Sequence, residues 1–341
     1  MSTPITTDYR STIRRNRFRT NIVILLFFAI YCAIGLLVDC TLASSAYPQA
    51  SISQLLIALV TFQLLPIATL VMLAVAAVSL LVSYTLYDKL MLLGTDSRKI
   101  TPETAHTLVE KQLYNVVQEM QISAGLRYMP KVFIIDAPYM NAFASGYSEK
   151  SAMVAITRGL IEKLNRDELQ AVMAHELSHI RHLDIKLTLT ASLLSNMTLI
   201  VLDLLFQRAL FSNRREDERS RNALLTIVMI LRFVLPVISI LLLLYLSRTR
   251  EYMADAGAVL LMRTNQPLAN ALLKIHNDYQ SHHDQYSDTR QHTLNENVRR
   301  AAYIFDPLSA GISSPTSISD FFSTHPSLEA RLKALGVSEH V

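Results

Sequence analysis

The sequence contains no tryptophan, only eight glycines and only two cysteines in 341 residues. Cys32 and Cys40 fall in one apolar stretch, and eight helical residues separate them by about 12 Å, too far for a disulfide. A disulfide framework is therefore excluded, and so is a cysteine zinc site. Two unpaired cysteines fit a soluble part that sits in a reducing compartment. Charge of one sign is also scarce, the net value being only +4. The basic residues gather beside apolar runs, which fits a lipid surface and argues against nucleic acid. No internal repeat is evident. What the chain has in quantity is apolar residues, 51% of the total.

These residues form four runs that read as membrane helices. The first is Ile22 to Leu42. The second lies between Cys40 and Tyr87; its densest part, Leu55 to Leu86, exceeds the roughly 20 residues needed to span, so a tilt, a projection or a kink near Pro66 is expected. The third is Leu187 to Phe206 and the fourth Ala223 to Leu246, with Pro236 inside it. The first run is too long for a signal-peptide core and reads as a retained anchor. Arg10, Arg14, Arg15, Arg17 and Arg19 precede it, the link Ser44 to Ser51 is uncharged, and Lys89, Arg98 and Lys99 follow the second run. By the positive-inside rule this is a hairpin with both ends in the cytoplasm. Arg208, Arg214, Arg215, Arg219 and Arg221 between the third and fourth runs disagree with a second full hairpin. Either the first hairpin dominates or the second does not fully cross. Asp203 and Arg232, inside apolar runs, can pair with each other, or lie near a helix end and snorkel.

The expected fold class is α+β and predominantly helical, an integral membrane protein with about four transmembrane helices and a zincin-like domain. Its parts are 1–87, a basic segment and hairpin; 88–186, the first catalytic part; 187–246, the second hairpin; and 247–341, the second catalytic part. Thr104 to Gly125 has helical periodicity. Lys131 to Asp136 and Ala152 to Ile156 read as strands. Asn165 to His182 reads as a helix, with Asn165 as cap and Glu168 closing a capping box. Asn277 to Arg300 is polar and reads as a loop with some helix.

That capped helix carries His175-Glu176-Leu177-Ser178-His179. Two histidines four apart share one helix face and can hold one Zn²⁺. Glu176, about 100° around the helix, can take a proton from water and pass it to a leaving amine. A chance H-E-x-x-H arises in roughly one chain in a hundred of this length, so a third ligand decides the matter. His182 lies about 10 Å along the axis from His175, too far to close on the same ion. The metzincin layout needs glycine at 182 and histidine at 185, where His182 and Ile185 stand. Glu251 can bind zinc, and Asp255, one turn on, can accept the free N–H of a ligand histidine, His175 by preference. The small Ala254, Ala256 and Gly257 let this second helix approach the first.

Several further stretches support the pattern: Met129-Pro130-Lys131-Val132, Asn141 to Gly146, Ala171 to Ile180, Ser247 to Glu251 with Ala254 to Gly257, and Thr324-His325-Pro326 followed by Arg331. Together they resemble the HtpX group of membrane zinc endopeptidases, related to the CAAX prenyl-protein endopeptidases. The resemblance implies that His175, His179 and Glu251 ligate one Zn²⁺ and that Glu176 is the catalytic base. It implies that Asn141, Ala142, Phe143 and Ala144 belong to an edge strand that binds extended substrate. It points to His325 and Arg331 as donors to a developing oxyanion; the alternatives are a helix cap at His325 and a carboxylate pair at Arg331. It further implies unfolded or membrane-protein substrates, a lipid bilayer as the setting, a stress-related quality-control role, and an inner-membrane location with the catalytic part facing the cytoplasm. A catalytically dead scaffold and a transporter with a regulatory zinc site are the rival classes; intact Glu176 and the scarcity of polar residues in the runs argue against them.

Overall fold

In the computed structural model the described residues are 9–184, 250–282, 285–286, 302–305 and 326–337, with isolated positions between 203 and 234. The chain divides into two compact units. One comprises Arg19–Thr85 with Thr190–Leu242, the other Met1–Phe18, Leu86–Leu189 and Leu243–Val341.

Helices dominate the first unit. α1 (Tyr9–Ala46) contains Phe18–Ser44, a 27-residue stretch long and apolar enough to cross a membrane, the one such helix among the described residues. α2 (Ile52–Val60) starts at a capping box formed by Ser51 and Gln54. It stops where Phe62 turns left-handed, at φ 58°, and α3 (Ile67–Leu92) begins directly after Pro66. The long second run is thus broken where the proline predicts, because Pro66 has no N–H and disfavours a helical predecessor. The bare N-terminus of α3 is capped from α1. Asp39 accepts from the Ala68 and Thr69 amides, both at 2.9 Å, and from Thr69 Oγ1 at 2.8 Å. Gly35 permits this approach, since a Cβ there would lie 2.4 Å from Thr69 Cα. Apart from isolated positions such as the exposed, helical Asp203, the third and fourth apolar runs lie outside the described residues, as do Arg232 and the arginines at 208–221.

The second unit is α+β. Its four-stranded sheet has the order β1 (Ser97–Ile100), β2 (Lys131–Ile135), β4 (Met153–Thr157), β3 (Ala142–Ser145). β1 is antiparallel to β2, β2 parallel to β4, and β3 antiparallel to β4, with Phe143 opposite Ala155. The central β4 is buried along its whole length, which is why it reads as an unbroken apolar run. Around the sheet lie α4 (Leu108–Ser123), the short α5 (Arg158–Lys163) and α6 (Arg166–His182). The later part of the chain adds α7 (250–262), α8 (Gln266–Ser281) and α9 (Leu328–Ala334).

α6 is buried on every side. Leu169, Val172, Met173, Ala174 and Leu177 are each 0–1% exposed, as expected of a helix enclosed by a core rather than lying on it. Its start is doubly fixed. The Asn165 side chain accepts from the Glu168 amide, Glu168 accepts from the Asn165 amide, and Lys274 of α8 reaches the same carboxylate at 2.8 Å. The start of the polar stretch expected as a loop with some helix, Asn277 to Ser281, is the last part of α8.

Candidate metal centre and its surroundings

α6 carries His175 and His179 one turn apart, and α7 brings Glu251 to them. The three can each offer one ligand atom within 4.8 Å of the others, and all are buried. The Nε2 atoms of the two histidines are 3.2 Å apart; Glu251 Oε2 is 3.6 Å from His175 Nε2, and Glu251 Oε1 is 3.7 Å from His179 Nε2. Two imidazole nitrogens at ordinary zinc distances in a tetrahedron lie about 3.3 Å apart, so the spacing fits one zinc ion. Gly257 explains how the helices come this close: a Cβ there would sit 2.4 Å from Ser178 Oγ and 2.8 Å from Ser178 Cβ. Ala254 is fully buried on the same helix, whereas Ala256 is exposed and plays no part in the approach. His182 is outside the ligand cluster and faces the α7 side near Gly257.

Each ligand histidine has its other nitrogen on a carboxylate. His175 Nδ1 is 2.9 Å from Asp255 Oδ1, and His179 Nδ1 is 3.1 and 3.2 Å from the oxygens of Asp184. Such partners fix the ring tautomer and direct Nε2 to the metal. Asp255 is in turn gripped by Arg331, whose Nε and Nη2 donate to it at 2.9 and 2.6 Å. Burial opposes the Asp255 carboxylate, but the Arg331 charge and the His175 contact outweigh this and hold its pKa below the ordinary value. Asp184 behaves alike: burial opposes its charge, while His179 and Arg250 lower its pKa overall. At His175, burial would depress the imidazole, but contacts with Asp255 and Glu251 raise its pKa to about 9. A buried site that raises a histidine this far has surplus negative charge, and a divalent cation between the imidazoles answers the same demand as a proton.

Glu176 is 1% exposed, and neither of its carboxylate oxygens has a well-formed hydrogen bond. Burial and the charge of Glu251 raise its pKa, against the pull of His175, His179 and the Ala144 amide. A buried carboxylate with so little hydrogen bonding is costly, and its position beside two imidazoles suits a group that exchanges protons with a reactant.

Two expectations are corrected here. Arg331 does not face an open reaction space. Its third nitrogen, Nη1, donates to the Ile304 carbonyl at 2.6 Å, so the whole guanidinium is engaged and the carboxylate-pair alternative holds. The edge strand is also less available than expected. Asn141 is fully buried, its amide donating to Tyr279 and to the Phe305 carbonyl. The Ala142 carbonyl accepts from the Ile304 amide at 2.9 Å, and Phe143 pairs with Tyr303. The chain's own 303–305 segment thus covers the Asn141–Phe143 half of the outer edge. Ala144, whose amide faces Glu176, is where this edge meets the metal centre. His325 lies outside the described residues.

Sequence reasoning gave no role to Asp184, Arg250 or the 303–305 segment. Asp184 follows Leu183, a left-handed helix cap at φ 54° that turns the chain back onto His179.

Residues 107–338 match peptidase family M48. A Protease HtpX homolog of Helicobacter pylori (strain J99) is 40% identical over 329 residues, covering 96% of this chain and 98% of that protein. Proteins of the same description from Dictyoglomus thermophilum and Streptococcus pyogenes are 37% identical over 223 residues and 31% identical over 335 residues. They cover 65% and 95% of this chain, and 68% and 97% of their own lengths. The crystal structure of S. mikatae Ste24p aligns with a TM-score of 0.44 at 17% identity, covering 95% of this chain and 66% of that one.

Proposed function

The chain belongs to peptidase family M48 and is a metallopeptidase; from that premise we propose that it is a membrane-anchored zinc endopeptidase that cleaves locally unfolded polypeptides, among them damaged membrane proteins. The observation that carries this reading is the convergence of His175, His179 and Glu251 beside the buried carboxylate of Glu176.

In this reading His175, His179 and Glu251 hold one zinc ion per chain. Bound zinc supplies Lewis acidity, which polarises the scissile carbonyl and makes water nucleophilic near neutral pH. Glu176 accepts the proton of the attacking water and returns it to the departing amine, a role suited to a carboxylate whose pKa burial has raised. Asp255 and Asp184 keep the imidazoles in the ligating tautomer, and Arg331 keeps Asp255 ionised. The substrate lies extended along β3 near Ala144, pairing through its main chain, so only unfolded segments qualify. Phe18–Ser44 supplies an anchor, and the arginines ahead of it favour a catalytic unit on the cytoplasmic face of the inner membrane. That placement supports a quality-control role.

Glu176→Gln in the purified full-length protein should keep its zinc and its fold and lose cleavage of an unfolded membrane-protein substrate. Undiminished cleavage in that variant, with contaminating proteases excluded, would overturn the mechanism.

A further inference from the structure

The ligands come from two parts of the chain separated by a long insertion. Catalytic-unit sequence leaves after Leu189 and resumes at Leu243. Asp184 stands just before this departure and Arg250 just after the return. Both are buried, at 1% and 6% exposure, and Arg250 Nε lies 3.7 Å from Asp184 Oδ2. That is an ion pair rather than a direct hydrogen bond. Each member also touches the metal centre through the chain: Asp184 holds His179 Nδ1, and Arg250 immediately precedes Glu251.

We propose that Asp184 and Arg250 are positioning residues which together clasp the two ends of the insertion and thereby hold His179 and Glu251, ligands from either side of it, in register for one metal ion. The inference rests on the metal-site reading above and goes beyond it, because neither residue is a ligand or touches substrate.

The physical case has three parts. The left-handed Leu183 returns the chain at the end of α6, so Asp184 points back to the last ligand rather than onward. Asp184 accepts from His179 with its carboxylate, and a buried carboxylate needs a cation that is not itself the switchable histidine. Arg250 supplies that charge and is permanently protonated. Finally, Gly257 packs against Ser178 as a second contact between the same two helices, separate from the clasp, so relative sliding of α6 and α7 is resisted at two points.

The test is zinc affinity of the full-length protein in detergent, by competition with a chromophoric chelator, with the melting temperature of the metal-free form as control. Asp184→Asn keeps shape and an acceptor oxygen but removes the charge, and should weaken zinc binding about 10- to 100-fold. Arg250→Met should weaken it to a similar degree. Arg250→Lys keeps the positive charge and should recover most of the affinity that Arg250→Met loses. Combining Asp184→Asn with Arg250→Met should cost little more than either alone, since paired residues are not additive. Unchanged affinity in Asp184→Asn, multiplied losses in the double variant, or losses that track metal-free stability would each overturn the clasp. Glu251→Ala separates the two levels: if it retains zinc, the ligand assignment fails; if it loses zinc while Asp184→Asn does not, only the clasp fails.

Discussion

Replacing Arg331 by methionine removes a guanidinium that is 2% exposed and leaves Asp255, also 2% exposed, with a buried charge and only His175 beside it. Removing one partner of a buried pair costs about 3–5 kcal/mol, because the stranded ion keeps its desolvation penalty. The Ile304 carbonyl loses its donor as well, so the upper part of that range applies. At roughly 2–4 °C per kcal/mol for a unit of this size, the apparent Tm should fall by about 8–20 °C. Thermal scans at one fixed rate in detergent measure this. Adding Asp255→Asn removes the stranded charge while leaving an acceptor for His175, and should restore part of the loss. The competing idea, that Arg331 donates to the reaction's oxyanion, predicts the reverse: a normal Tm, normal zinc and a selective fall in kcat. That result, with no rescue by Asp255→Asn, would refute the buttress.

Other consequences can be checked alongside. Gly257→Ala forces the α6–α7 contact apart, because Ser178 Cβ lies 2.8 Å from the added carbon; about 1–3 kcal/mol of overpacking should appear as a lower Tm together with weakened zinc retention. Chelation should abolish cleavage, and zinc should restore it; activity that survives complete zinc removal would speak against a metal role. Asp184 and Asp255 have folded-state pKa values below the ordinary 3.8, so the unfolded chain takes up their protons first as pH falls. Their contribution to stability is complete above about pH 5 and is lost as pH drops through 3.8 to the folded values. The Tm gap between the parent chain and Asp255→Asn should therefore shrink as pH falls below about 4; a gap that widens between about pH 4 and 3 contradicts this.

The sequence made the catalytic helix legible because local and global signals agree there. The Asn165–Glu168 box marks its start, the apolar residues before His175 mark its burial, and the i, i+4 histidines mark its face. Pro66 likewise announced the break in the second apolar run. Legibility failed where pairing, not pattern, makes the element. β1 is Ser97-Arg98-Lys99-Ile100, a partly exposed edge with no apolar alternation, and it is a strand only because β2 lies beside it. β3 is four small or buried residues and was visible through family resemblance alone. Asp184 was missed for a related reason. A leucine in the left-handed region is sterically disfavoured, so nothing in the sequence said that the chain would fold back there. The 303–305 segment meets Asn141 and Phe143 from some 160 residues away, a closure that periodicity cannot reveal.

Asp39 has a consequence for how the first hairpin behaves as an object. Its carboxylate serves as the N-terminal cap of a helix that belongs to a different part of the chain. Parting α1 from α3 would leave the buried Asp39 carboxyl and the Ala68 and Thr69 amides without these partners. The two helices therefore cannot be slid past one another or parted without a penalty of several kcal/mol. A single acid at the end of an apolar run thus latches α1 and α3 into one unit near the turn.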